Sequence, residues 1–188
     1  MNFQADRSDA LPSARERILH TAHELFYRDG VRATGVDRVI AESGVTKVTF
    51  YRHFPSKNDL IRAYLADRHT RWMAWFTDAL TRHGGGAGAI VPAVDEWLHD
   101  ARFRGCAFIN SVGELGGTLP DVIEIARSHK QDMTAAIAAV LPQSRQRAKI
   151  AQAVALAVDG AIVRAQWDSS PDAALSALDR IINSLLKT

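Results

Sequence analysis

Residues 44–57 read GVTKVTFYRHFPSK and combine hydroxyl groups, a tyrosine and a histidine with three cations, yet they contain no carboxylate. The cations are Lys47, Arg52 and Lys57. Hydroxyl, phenol and ammonium groups are the side chains that contact phosphate oxygens, and carboxylates repel them. The whole chain carries a net charge of only +2, so the positive charge is local, as a docking surface requires. This stretch predicts a surface that faces a polyanion.

Two short helices joined by a tight turn accommodate this stretch. The first helix has Val36, Val39 and Ile40 on one side and ends at Ser43 and Gly44, and the second covers about 47–53 before Pro55. Such a pair is a helix-turn-helix, in which the second helix enters the major groove while the first crosses the phosphate backbone. The predicted partner is double-stranded DNA.

The candidate DNA contacts divide into base-reading and phosphate-binding groups. Lys47 can donate to guanine O6 and N7, and the methyl groups of Val48 and Thr49 can touch a thymine methyl group. Phosphates would lie further back along the second helix and beside the first. The candidates are Thr34, Arg38, Thr46, Lys47, Val48, Thr49, Tyr51, His53 and Lys57.

Some of these residues also have a simpler interpretation. Tyr51 could be a core aromatic, as its neighbour Phe50 is interpreted to be, and His53 could be an ordinary exposed residue at a helix end. Lys47 and Lys57 would be plain solvated charges in most sequences. The DNA interpretation depends on the constellation rather than on any single residue.

Helical periodicity runs through almost the whole chain and predicts an all-α fold of about nine helices. Residues 1–12 are interpreted as a flexible arm and 13–56 as a three-helix DNA-binding domain, whose first helix begins at Ser13 with Glu16 completing a capping box. Residues 57–188 would form a helical ligand-binding and dimerisation domain. Its predicted helices lie at about 57–82, 90–102, 105–116, 120–141, 144–168 and 171–187.

The segment ELFYRDGVRATGVDRVIAESGVTKVTFYRHFPSKNDLIRAYL resembles the N-terminal domain of the TetR family of bacterial transcriptional regulators. The resemblance covers about residues 13–65 and is most specific in GVTKVTFYRHFPSKNDL. It implies base contacts at positions 47–49 and phosphate contacts at Tyr51, His53 and Lys57. Two positions depart from the family pattern, because Gly35 stands where members often have Thr or Ser, and Val48 where many have Gly.

The last two helices, AKIAQAVALAVDGAIVRAQW and PDAALSALDRIINSLL, are rich in alanine with periodic larger apolar residues. Small residues allow close helix approach, so paired copies are expected to form a four-helix interface in a homodimer, as the resemblance also implies. The alternative is that both helices only close the monomer core.

The body contains many aromatic side chains interspersed with polar ones, as in a pocket for a small-molecule effector, which the resemblance also implies. Asn110 and Glu114 are spaced to share one helix face. For any single aromatic residue, ordinary core packing remains an alternative, and Glu114 could instead pair with an arginine or cap a helix. The candidates are Trp72, Trp75, Phe76, Trp97, Phe103, Phe108, Asn110, Glu114, His129 and Trp167.

Other chemistries find little support. Cys106 is the only cysteine, which precludes an intrachain disulfide and favours a small buried residue over a redox sensor. The spacing of His20, His23 and Glu24 allows a metal site, but they could equally be ordinary polar side chains on the solvent-facing side of a helix. No phosphate loop, nucleophile elbow or zinc-protease motif occurs, so neither an enzyme nor a cofactor is expected.

The sequence thus predicts a cytoplasmic, ligand-responsive regulator, most simply a repressor that binds a palindromic operator as a dimer. There is no secretory signal and no stretch of about 20 apolar residues that could span a membrane. An activator of the same fold and a helical interaction module without DNA binding are the alternatives. The acid-free constellation argues against the second of these.

Overall fold

A computed structural model describes residues 11–187. Within this range the chain forms nine α-helices, a short 3₁₀ helix (Ala87–Ala89) and no strand, which confirms the all-α prediction. No helix in this range is both long enough and apolar enough to cross a membrane. The helices are α1 (Ala14–Asp29), α2 (Val36–Ser43), α3 (Lys47–His53), α4 (Lys57–Arg82), α5 (Ile90–Leu98), α6 (Ala107–Leu115), α7 (Asp121–Val140), α8 (Arg147–Arg164) and α9 (Asp172–Leu186).

The chain divides into two compact units. The head unit holds the described residues up to Arg71 together with Ala107–Ala126, and the body unit holds Trp72–Cys106 together with the residues from Arg127 onward. The α6 helix therefore belongs with the helix-turn-helix. The domain boundary at residue 56 and the flexible arm at 1–12 remain predictions. Residues 1–10 of that arm lie outside the described residues.

The head unit is built around the apolar stripe of α1. The capping box predicted for this helix is present, since the Ser13 hydroxyl accepts from the Glu16 backbone N–H and the Glu16 carboxylate accepts from the Ser13 N–H. Ile18, Leu25 and Phe26 are buried. The Phe26 ring packs edge-on against Tyr64 of α4, with 5.4 Å between ring centroids. This core fixes α1 against the first half of α4.

The body unit contains α4 from Trp72 onward, helices α5, α8 and α9, and α7 from Arg127 onward. The inward face of α8 is formed by small and branched apolar residues such as Val154, Val158 and Ile162, and Leu178 and Ile182 are buried on α9. The structure thus confirms amphipathic final helices.

The fifth and eighth helices are shorter than the sequence estimate, and the eighth ends at Arg164 rather than near residue 168. The fifth helix ends at Leu98 rather than near residue 102, because the chain turns there and Asp100 N–H donates to the Trp97 carbonyl oxygen. The eighth begins at Arg147 rather than near 144, after a turn in which Arg147 N–H donates to the Ser144 carbonyl oxygen.

Candidate nucleic-acid interface

The turn between α2 and α3 uses one glycine and one threonine cap. Gly44 adopts a left-handed conformation with φ of 65°, which costs glycine little. Thr46 caps α3, and its hydroxyl oxygen accepts from the Thr49 backbone N–H at 3.2 Å. Phe50 is fully buried and holds α3 against the core, as predicted. The helix is therefore fixed from its start and from its inner face.

The opposite face of α3 is open to solvent. Val48 exposes 70% of its surface and Tyr51 exposes 42%, and His53 is also exposed. The Tyr51 ring packs edge-on against Phe50, with 5.2 Å between centroids, so its phenol group projects from an anchored ring. A valine side chain that is exposed at a helix tip contributes nothing to the core. In this position Val48 suits contact with a base edge.

Lys47 lies near an acid that the sequence does not place beside it. Its Nζ is 3.9 Å from the Asp37 carboxylate oxygen, and both side chains are largely exposed. Asp37 lies in the first turn of α2. A carboxylate of the preceding helix therefore lies beside residues 44–57, although these residues contain none themselves.

Arg38 is exposed on α2 but is bound by two carboxylates. Its guanidinium group contacts Asp29 and Glu42, each at 2.8 Å. The hydrogen bond to Glu42 is the main cause that raises the Arg38 pKa, and Asp29 adds to it. The two carboxylates thus contact Nε and one terminal nitrogen of Arg38, so a phosphate would compete with them or bind through the other terminal nitrogen.

Thr34 does not fit its predicted role as a phosphate contact. The residue has no exposed surface, and its hydroxyl group donates to the Gly30 carbonyl oxygen at 2.8 Å. Thr34 therefore closes the turn between α1 and α2. Gly35 caps α2 without any side-chain hydrogen bond, so the hydroxyl that other sequences supply at this cap is not replaced by Thr34.

Lys57 begins α4 and lies against the same turn. Its Nζ donates to the Arg32 carbonyl oxygen at 3.4 Å. Burial is the main influence on its pKa, which is lowered, while the charge of Glu114 acts in the opposite direction. The lysine is therefore held in place and is not a freely solvated side chain.

Glu114, a predicted pocket residue, contacts the turn between α1 and α2. It was expected in a ligand pocket, but its Oε2 accepts from the Arg32 backbone N–H at 2.6 Å. A Cβ atom on Gly30 would lie 3.2 Å from the same carboxylate oxygen, and Gly30 itself has φ of +90°. The positive φ favours glycine in this turn, and a Cβ atom would in addition crowd the carboxylate.

The structure brings six of the ten pocket candidates together in the body unit. The Trp72 ring stacks on Phe76 at 4.8 Å and meets Trp97 edge-on at 5.3 Å and His129 at 5.0 Å. Trp75 and Phe103 complete this aromatic cluster. Trp72 is buried, and its indole N–H has no hydrogen-bond partner.

The other four candidates lie elsewhere. Phe108, Asn110 and Glu114 are on α6, in the head unit. Trp167 follows the end of α8 and exposes 63% of its surface. The aromatic candidates thus do not form a single cluster, and their residue types in the sequence do not show which of them are neighbours.

The remaining reactive side chains have local partners. His23 Nε2 lies 2.6 Å from the Asp67 carboxylate, and burial is the main cause that lowers the His23 pKa. Cys106 is buried, as expected. No group of three metal-binding side chains occurs within residues 11–187.

Comparison with known proteins identifies the helix-turn-helix region. Residues 18–64 match the family model described as bacterial regulatory proteins of the tetR family. The HTH-type transcriptional regulator YxaF of Bacillus subtilis is 46% identical over 43 residues, which are 23% of this chain and 22% of that protein. An HTH-type transcriptional regulator of Staphylococcus aureus strain bovine RF122 / ET3-1 is 43% identical over 54 residues, or 29% of each chain. These matches span less than a third of the relatives' length.

Solved structures extend the likeness to nearly the whole chain. A TetR-family transcriptional regulator from Streptomyces coelicolor is 28% identical and has a TM-score of 0.81, covering 93% of this chain and 94% of its own. A TetR regulator from Streptomyces avermitilis is 26% identical with a TM-score of 0.76, covering 93% and 98%. The relatives are named as transcriptional regulators, as the sequence predicts, and not as enzymes.

Proposed function

We propose that this chain is a member of the TetR family of bacterial transcriptional regulators. We infer that it is a repressor, which binds a palindromic operator as a homodimer and leaves it when a small molecule binds. The observation that carries the proposal is the solvent-exposed face of α3. It has no carboxylate of its own, and it is anchored by the buried Phe50 and the Thr46 cap.

Base reading is assigned to the leading turn of α3, and phosphate binding to the residues behind it. Lys47, Val48 and Thr49 lie where a helix entering the major groove meets base edges. Tyr51, His53 and Lys57 supply a phenol, an imidazole and an ammonium group for phosphates. Arg38 is a weaker candidate for a phosphate contact, because Asp29 and Glu42 already bind its guanidinium group.

A homodimer is supported by the outward faces of α8 and α9. Leu156 exposes 75% of its surface on α8, and Ile181 exposes 43% on α9. Gly160 lies four residues after Leu156 and allows close backbone approach at the same face. A second copy of this chain would remove these apolar side chains from water, and symmetric pairing matches two heads to two half-sites.

The effector site is assigned to the aromatic cluster around Trp72. The cluster supplies a largely apolar environment, and the Trp72 indole N–H is an unused donor within it. Burying such a donor without a partner costs about 1–3 kcal/mol, so a ligand with an acceptor atom would recover that loss. An effector that changes operator affinity by about 5–150-fold needs a coupling free energy of only about 1–3 kcal/mol.

One helix links this cluster to the DNA-binding residues. The α4 helix is continuous from Lys57 to Arg82 and carries Trp72 and Trp75. Heads spaced about 34–36 Å apart fit successive major grooves. A displacement of α4 by the effector would change that spacing, which is the proposed route of release.

The proposal is tested by selecting bound fragments from a random double-stranded DNA library with the purified protein, refolded to remove any ligand. The expected result is an enriched palindrome that Lys47→Ala alters at one base pair in each half-site. A reporter promoter overlapping the palindrome should be silenced by the protein in cells. Retention of no DNA, or of DNA without a shared motif, would refute the operator-binding function, and increased expression would indicate an activator.

A further inference from the structure

The peptide groups around Arg32 are held from two sides. The backbone N–H of Arg32 donates to Glu114 Oε2 at 2.6 Å, and its carbonyl oxygen accepts from Lys57 Nζ at 3.4 Å. Glu114 lies 82 positions away from Arg32 in the sequence and belongs to α6. A single residue of the turn between α1 and α2 thus connects a carboxylate of α6 with the first residue of α4.

The turn is shaped to receive this carboxylate. Gly30 has φ of +90°, and a Cβ atom at this position would lie 3.2 Å from Glu114 Oε2, a crowded distance that glycine avoids. Thr34 then closes the turn by donating to the Gly30 carbonyl oxygen at 2.8 Å. A charged acceptor at 2.6 Å forms one of the stronger kinds of hydrogen bond in proteins, so the carboxylate restrains the Arg32 backbone firmly.

We propose that Glu114 is a positioning residue for DNA binding, whose carboxylate fixes the α1–α2 turn and, through Arg32, the ammonium group of Lys57. This inference rests on the proposed function, because it assigns Lys57 a phosphate contact. Glu114 does not itself touch DNA. Its hydrogen bond to a backbone N–H predefines where the lysine lies before a phosphate arrives, which reduces the ordering cost of binding.

The effect of the carboxylate's position can be separated from that of its charge. Glu114→Gln keeps an oxygen that accepts from the Arg32 N–H but removes the negative charge, whereas Glu114→Ala removes both. Asp121→Ala is the matched control, since Asp121 is another carboxylate of the head unit that pairs with α4, through Arg62 at 2.8 Å, and does not contact the turn.

Two measurements test the inference on the full chain at a temperature where circular dichroism shows every variant to be folded. The first is hydrogen exchange of the Arg32 amide by NMR, which requires no DNA. The second is affinity for the palindrome selected by the wild-type protein. Glu114→Ala should exchange faster at Arg32 and bind about tenfold more weakly, in keeping with the loss of a hydrogen bond to a charged group. Glu114→Gln and Asp121→Ala should stay within about threefold of wild-type affinity.

Each other outcome overturns the inference in a recognisable way. Unchanged exchange in Glu114→Ala would show that the hydrogen bond is absent. Faster exchange with unchanged affinity would make Glu114 merely structural. Equal weakening by Gln and Ala would show that the charge, and not the acceptor oxygen, holds the turn. Tighter binding by Ala would show that the carboxylate acts on DNA binding by repelling phosphates. If the wild-type protein selects no palindrome, the proposed function fails and takes this inference with it, whereas every failure above leaves that function standing.

Discussion

Replacing Lys57 by alanine should change how operator binding depends on salt. The ammonium group is held at the start of α4 by the Arg32 carbonyl oxygen, so each head presents one preplaced cation to a phosphate. Each lost phosphate contact lowers the slope of log affinity against log salt concentration by about 0.9. A dimer loses two contacts, so Lys57→Ala should reduce the slope by about 1.8.

This change in slope is large enough to measure. Raising salt from about 50 mM to about 200 mM is a fourfold change, and a slope difference of about 1.8 over this range amounts to about a 12-fold difference in relative affinity. The penalty of Lys57→Ala should therefore shrink by about that factor at the higher salt concentration. Fluorescence anisotropy with the labelled palindrome, at four or five salt concentrations, gives the slopes directly.

The controls separate a phosphate contact from other effects of the mutation. Arg145→Ala removes the same charge from an exposed position in the turn before α8 and should leave the slope unchanged. Tyr51→Phe should weaken binding without changing the slope, because it removes a neutral hydrogen bond. A Lys57→Ala slope equal to the wild-type slope would refute the assignment of Lys57 to a phosphate.

Three further results are expected. Thr46→Ala should lower the free energy of unfolding by about 0.5–2 kcal/mol through loss of the α3 cap, and Tm should fall by about 2–4 °C per kcal/mol. Thr46→Ser should retain most of the wild-type stability. An unchanged Tm in Thr46→Ala would contradict the importance of the cap. Leu156→Glu should convert dimers to monomers in analytical ultracentrifugation, because a carboxylate would be buried at the interface, whereas a stable dimer would place the interface elsewhere. Val48→Ala should alter the base selected at one position per half-site in a repeated DNA selection, and an unchanged motif would exclude base contact by Val48.

Features set by neighbouring residues could be predicted from the sequence. The capping box of Ser13 and Glu16 and the glycine at position 44 depend on contacts within three or four residues, and both are found. The burial of Phe50 follows from the helical period in the same way. The helix-turn-helix could therefore be predicted from the sequence, because contacts between residues close in sequence determine it.

Features set by distant residues could not be read in the same way. The spacing of Asn110 and Glu114 shows that they share a face of α6, but not what that face meets. Glu114 meets the Arg32 backbone, and backbone groups carry no sequence signal. Thr34 likewise looks like a candidate phosphate ligand, and only the fold reveals that its hydroxyl group is buried.

The same distinction explains how a surface paired with carboxylates can still bind DNA. Lys47 lies 3.9 Å from Asp37 and Arg38 contacts Asp29 and Glu42, all as exposed pairs. Exposed ion pairs contribute little stability, so phosphates can replace these carboxylates at low cost. Glu114 differs, since its partner is a backbone N–H rather than a cation that DNA needs. DNA binding can therefore break the first kind of contact and keep the second, which leaves Glu114 free to hold the turn in both states.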